Sequence, residues 1–185
     1  MATTIKRLTY DDLDAIPQER GGDRHELING ELVVTPSPMP PHQIVSRSIF
    51  RRLDQHVVAN DLGEVYYAPI DIRFTPDNVL IPDIIFIARD RLHVMGSRAV
   101  DAAPDLVIEI LSPGTRRRDL TTKRDLYARF GVREYWVVDL DKRAVEVLAL
   151  VGAGYQPLPA REDGSLQSRV LPDLHLTLED VFEGI

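Results

Sequence analysis

Two apolar runs in this sequence are each interrupted by a single carboxylate. Asp83 breaks VLIPDIIFI (Val79 to Ile87), and Glu109 breaks DLVIEILS (Asp105 to Ser112). Runs of this length, rich in Ile and Val and bounded by Pro, Asp and Gly, suit strands covered on both faces. An ionised carboxylate there costs several kcal/mol unless it is paired, hydrogen-bonded or bound to a cation. One such acid reads equally well as a paired structural residue. Two in neighbouring runs, followed by the basic stretch from Arg116 to Lys123, mark a candidate site; these residues alone leave both readings open. Within RRRDLTTKRDLYARF (Arg116 to Phe130), Asp119, Lys123 and Tyr127 recur at steps of four, so one helical face carries an acid, an ammonium and a phenol. The plainer role for Lys123 is an i,i+4 pair with Asp119, which contributes only about 0.3–0.5 kcal/mol when exposed.

The elements that must position these groups follow from pattern and punctuation. Thr9 to Asp12 reads as a capping box opening a short helix that ends before Pro17. RHELINGELVVT (Arg24 to Thr35) is a hairpin on the Asn29-Gly30 turn. Its register sets Glu26 beside Val33 and Leu27 beside Leu32, so Glu26 neighbours an apolar side chain rather than a loop tip. Four prolines between Pro36 and Pro41 break regular structure, and an amphipathic helix starts at His42, with Val45, Ile49, Leu53 and Val57 on one stripe. Glu64 to Phe74 reads as one strand, turned by Pro76-Asp77-Asn78 into the Val79 strand as its antiparallel neighbour. Ala88 to Pro104 lacks periodicity and is expected to be a loop or short helix. A helix from about Arg117 to Phe130 closes at Gly131. Glu134 to Leu140 and Ala144 to Leu150 form a second hairpin. Gly152 to Ser168 is a loop or short edge strand, and Thr177 to Asp180 caps a short terminal helix. This order implies a mixed central sheet with helices on its faces.

The 185 residues suit a single domain, with a core over about 10–150 and a loop and short helix over 151–185. A content of 44% hydrophobic and 28% charged residues is that of a soluble globular protein. The absence of Cys excludes disulfides, thiolate metal sites and a cysteine nucleophile. No apolar leader follows Met1, and no run approaches the ~18 apolar residues of a membrane span, so the expected location is cytoplasmic. A net charge of −7 argues against non-specific coating of nucleic acid, though not against a local basic cleft.

Read in order, HELINGELVV, PSPMPPHQ, IPDIIFI and APDLVIEILSPGTRRRDLTTKRDLYARFGVREYWVVD resemble the Uma-two family of restriction-endonuclease-like proteins, within the PD-(D/E)XK nuclease superfamily. The resemblance runs from roughly Tyr10 to Leu150. It implies a restriction-endonuclease-like α/β fold and a metal-dependent endonuclease acting on nucleic acid, DNA ahead of RNA. The acids correspond to Glu26, Asp83 and Glu109. The superfamily places a lysine two residues after the second acid, where this chain has Leu111; Lys123, on the following helix, resembles the migrated lysine of some branches. Mg²⁺ or Mn²⁺ is the implied cofactor, held by Asp83, Glu109 and the Ile110 carbonyl, with Glu26 completing the shell or orienting a water. A homodimer is implied by analogy with fold relatives. Without a cation, such clustered carboxylates should raise one another's pKa values while Lys123 opposes the shift. His42 is expected at the surface or, by the family's recurrent His-Gln pair, lining the cleft without being a ligand. Arg116 to Arg118 are expected in solvent, with contact to phosphate as the alternative, and Tyr127, Tyr135 and Trp136 in the core. The alternative function is a non-catalytic nuclease-fold protein that binds nucleic acid or a protein partner.

Overall fold

The computed structural model describes residues 7–16 and 23–185. Its strands form two sheets. The larger has six strands in the order β10-β9-β8-β7-β6-β3, and the smaller has four in the order β2-β1-β5-β4. In the larger sheet these are β3 (Gly63–Tyr67), β6 (Ile84–Ala88), β7 (Leu106–Ile110), β8 (Glu134–Asp139), β9 (Ala144–Val151) and β10 (Gly154–Leu158). In the smaller they are β1 (Arg24–Ile28), β2 (Glu31–Thr35), β4 (Ile72–Thr75) and β5 (Asn78–Leu80). Among the strands of the described residues, β7 and β8 are the one parallel pair. Parallel neighbours need a crossover, here supplied by the helical stretch between them.

The mixed central sheet expected from the sequence is the six-stranded one; a second, four-stranded sheet accompanies it, and two prolines mark where the chain passes between them. The run Val79 to Ile87 is not one strand: β5 ends at Leu80 in the small sheet and β6 begins at Ile84 in the large one. Glu64 to Phe74 is likewise divided, with β3 pairing β6 and β4 pairing β5. Proline lacks an N–H and cannot continue a ladder, so Pro69 and Pro82 are where the chain changes sheets. At the second crossing the freed Ile81 N–H donates to Glu26 Oε1 at 2.8 Å. A backbone group that leaves a ladder needs such a partner when buried.

Helix α2 (Pro40–Ala59) starts two residues before the expected His42, with proline in its first turn. That position suits proline, whose missing N–H would be an orphan there anyway. Its stripe Val45, Ile49, Leu53 and Val57 is fully buried against Ile84, Phe86, Ile108, Ile110, Trp136 and Val138 on one face of the large sheet. The opposite face carries Ile85, Val107, Tyr135 and Val137, and packs on Leu80 and Ile72 of the small sheet and on Leu126 and Tyr127. Burial of each large side chain is worth about 1.5–3 kcal/mol, which fixes both layers against the same strands.

The smaller elements follow their signals. Capping boxes open α1 (Tyr10–Leu13) and α5 (Leu178–Val181). Pro17, expected to stop the first helix, lies outside the described residues. Ala88 to Pro104 contains a 3-10 turn over Arg89–Val94. The helix expected from Arg117 to Phe130 is composite: α3 (Arg116–Arg118), a π segment (Asp119–Lys123) and α4 (Arg124–Phe130), closed by Gly131 at φ 83°. Among the described residues, no helix is long and apolar enough to cross a membrane.

Candidate active site

Antiparallel register pairs Ile85 with Val107 and Ile84 with Ile108; Asp83 precedes β6, and Glu109 follows Ile108 on the same side of β7 as Val107. Both acids line one cleft of about 260 Å³, together with Arg24, Glu26, His42 and Lys123. β1 brings Arg24 and Glu26 to it at alternate positions, which on a strand means the same side.

Asp83 is held at both oxygens. Oδ1 accepts from the Arg24 guanidinium at 2.8 Å. Oδ2 accepts from the Ile110 N–H at 2.8 Å and lies 3.1 Å from His42 Nε2. Burial pushes this carboxyl up, but the contacts with His42, Arg24 and the Ile110 N–H outweigh it and hold the pKa down to about 2.

Glu109 behaves in the opposite way. Its Oε1 accepts from Lys123 Nζ at 2.9 Å and from the Tyr127 hydroxyl at 2.6 Å. Burial dominates; Lys123 opposes it, Asp119, Asp83 and Glu26 add to it, and the pKa rises to about 8. The expectation that clustered acids raise one another's pKa therefore describes Glu109 and not Asp83, because the hydrogen bonds of Arg24 and His42 within the cleft go to Asp83.

Lys123 is the hub. Its ammonium lies 2.7 Å from Glu26 Oε1, 2.9 Å from Glu109 Oε1 and 3.8 Å from Asp119 Oδ1. Burial would lower its pKa, but the three carboxylates outweigh that and push it above the ordinary lysine value. The i,i+4 contact with Asp119 exists, yet it is the longest of the three. Asp119 is buried too, its pKa raised chiefly by burial, and its Oδ1 has no hydrogen-bond partner. Asp119 and Lys123 bound the π segment, a helical irregularity frequent at functional sites.

Two sequence expectations are corrected here. His42 is buried rather than at the surface, because it sits three residues before Val45 on the apolar stripe of α2. The basic run is not simply solvated: Arg116 grips Asp139 with both terminal nitrogens, at 3.1 and 2.6 Å. Arg118 donates to Thr35 Oγ1 at 2.7 Å and lies 4.0 Å from Glu26 Oε2, while Arg117 is exposed. Arg24 was not singled out from sequence at all. Its signal was available: a cation two residues from Glu26 in a strand must share that acid's face.

The donor types suit a hard divalent cation, since carboxylate and carbonyl oxygens are what Mg²⁺ and Mn²⁺ take. Four carboxylates line the cleft, Glu26, Asp83, Glu109 and Asp119, and the buried Asp119 Oδ1 has no hydrogen-bond partner. Among the described residues, however, no three His, Cys, Asp or Glu side chains form a group able to hold an ion. Mg²⁺ commonly takes one or two protein carboxylates and completes its shell with water and substrate phosphate. The site fits that lean arrangement and not a closed protein cage.

Residues 10–179 match the Uma2 family, described as "Putative restriction endonuclease". A crystal structure described as a "putative nuclease belonging to DUF820", from Anabaena variabilis, shares the fold: TM-score 0.76 over 95% of this chain and 97% of that one, at 21% identity. No curated protein matches. The family match spans nearly the whole described chain, and the protein belongs to the Uma2 family.

Proposed function

We propose that this protein is a metal-dependent endonuclease that hydrolyses phosphodiester bonds, with DNA ahead of RNA as substrate. One observation carries the reading: Asp83, just before β6, and Glu109, in β7, line one cleft in which Lys123 bridges Glu109 and Glu26. Family membership and the shared nuclease-like fold support it.

The residues that would hold the ion are Asp83 and Glu109, with Glu26 and the Ile110 carbonyl beside them. A divalent cation bound there lowers the pKa of a bound water and offsets charge growing on the phosphoryl oxygens. Arg24 and the Ile110 N–H keep Asp83 ionised far below neutral pH, so it offers its charge at any working pH. Burial raises the pKa of the Glu109 carboxyl, whose Oε1 accepts from Lys123 and Tyr127, so positive charge entering the cleft would favour its ionised form. An ammonium has three N–H donors. Glu26 and Glu109 take two of those on Lys123, leaving one to steady a phosphoryl oxygen as charge develops on it.

A second reading, a nuclease-fold protein that binds nucleic acid without cutting, is favoured by one observation: each of Glu26, Asp83 and Glu109 already has a protein cation within 3.1 Å. Incubating the wild type with supercoiled plasmid and with short DNA and RNA, in Mg²⁺, Mn²⁺ or chelator, separates the two. The nuclease reading expects nicking that needs the metal. Binding without cutting on every substrate would establish the second reading in its place.

A further inference from the structure

A second cavity, of about 270 Å³, opens beside the acidic cleft and shares the walls formed by Arg24, His42 and Asp83. Its far side is made of Tyr67, Pro69, Gln43 and Ser46. We propose that this cavity takes one unpaired nucleobase, so that the substrate is single-stranded or locally opened nucleic acid. The inference rests on the nuclease reading for the phosphate that lies next to that base.

Three features point to a base. Tyr67 ends β3, the edge strand of the large sheet, is 61% exposed, and lines the cavity. It is nonetheless held in place: the Phe50 ring packs edge-on against it, with centroids 4.8 Å apart and planes at 73°. A fixed, exposed ring is a stacking platform, and stacking accepts any base because every base has a π face. Gln43 and Ser46 lie three residues apart on α2 and so present an amide and a hydroxyl on one side, donors and acceptors for the polar edge of a base.

Position supports the same occupant. Tyr67 pairs with Ile84, the residue after Asp83, and the Ala68 N–H donates to the Asp83 carbonyl at 2.9 Å. The cavity thus adjoins Asp83, which forms part of its wall and is proposed to hold the ion beside the scissile phosphate. Its volume falls just under the roughly 300 Å³ at which small-molecule pockets begin, the size for one base and not for a stacked duplex segment. A base inside a duplex cannot enter such a pocket without leaving its stack.

The test is binding without cleavage. Fluorescence anisotropy in chelator, at one fixed ionic strength, compares a labelled single strand, its duplex, and single strands carrying an abasic site walked along the chain. The wild type should prefer the single strand to the duplex, and Tyr67→Ala should weaken single-strand binding about 10-fold while Tyr67→Phe preserves it. One abasic position should cost the wild type a similar factor and cost Tyr67→Ala nothing further. Unchanged single-strand affinity in Tyr67→Ala, or equal weakening on single strand and duplex, would overturn the base pocket. Plasmid cleavage keeps the two ideas apart. Wild-type cutting with Tyr67-independent binding sinks the pocket alone, whereas Tyr67-dependent binding without any cutting sinks the nuclease reading alone.

Discussion

Both ends of the parallel pair β7 and β8 bury carboxylates, and they are solved differently. At the start of the strands, Asp105 accepts from the Ala88 N–H at 2.9 Å and pairs with Arg91 and Arg133 at 2.9 and 3.2 Å. Glu134, which opens β8, accepts from the Trp136 indole at 3.1 Å, the Ser168 hydroxyl at 2.8 Å, and the backbone N–H groups of Arg169 and Val170. Neither lines the cleft. At the far end, one ammonium bonds both Glu26 and Glu109 and lies 3.8 Å from Asp119 Oδ1, which has no hydrogen-bond partner, and all of them face a cavity. Burial of an acid is therefore not the mark of function here. Sharing too few donors beside open space is, because such a cluster gains from any further positive charge that arrives.

The sharpest way to test the contrast is to remove the shared cation. Lys123→Ala leaves buried acids uncompensated and should cost about 3–5 kcal/mol of stability. It should also slow single-turnover cleavage by at least about 100-fold, the loss expected for a donor acting on transition-state charge. Chemical denaturation and rapid-quench kinetics read the two effects separately. A variant with a lowered melting temperature but wild-type single-turnover kinetics would make Lys123 a structural pair only.

Glu134→Gln addresses the other end. The amide keeps an acceptor but sets an NH₂ against donors, so a stability loss of about 1–3 kcal/mol is expected, with cleavage by the folded enzyme unchanged. A selective loss of cleavage without a loss of stability would erase the distinction between the two ends.

A smaller effect is the dependence of apo stability on pH. Glu109 is raised from 4.5 to about 8, so its contribution is fully present below about 4.5 and is lost as pH climbs through about 8. Asp83, lowered from 3.8 to about 2, works the other way: its contribution is present above about 3.8 and is lost as pH falls through about 2. Melting temperature in chelator should accordingly decline between about pH 5 and 8, and Glu109→Gln should flatten that decline. An equally steep decline in Glu109→Gln would assign the titration to another group.

Much of this was legible in the sequence, and the misses share a cause. The Asn29-Gly30 hairpin, its Glu26–Val33 register and the α2 stripe follow from local patterns, and the structure keeps each of them. The cleft shared by Asp83 and Glu109 could be anticipated once both runs were taken as neighbouring strands. The two-sheet division could not, because an apolar run continues through Pro82 while the hydrogen bonding changes partners there. Arg24 and His42 went unseen as partners of Asp83 for the same reason: each is local to a hairpin or a helix start, and only the tertiary crossing brings them to one carboxylate. The π segment left no mark either, since steps of four are compatible with a plain helix.

The proposed activity, phosphodiester cleavage with a divalent ion, belongs to the Asp83 and Glu109 end of the sheet. Its most direct test is single-turnover plasmid nicking in Mg²⁺ or Mn²⁺ by the wild type, Asp83→Asn and Glu109→Gln in parallel, each checked for folding by its melting curve. Both variants should melt cooperatively and lose cleavage by at least about 100-fold, since each keeps its shape while removing a charge that would hold the ion. Metal-dependent nicking at the wild-type rate in both folded variants would contradict the claim.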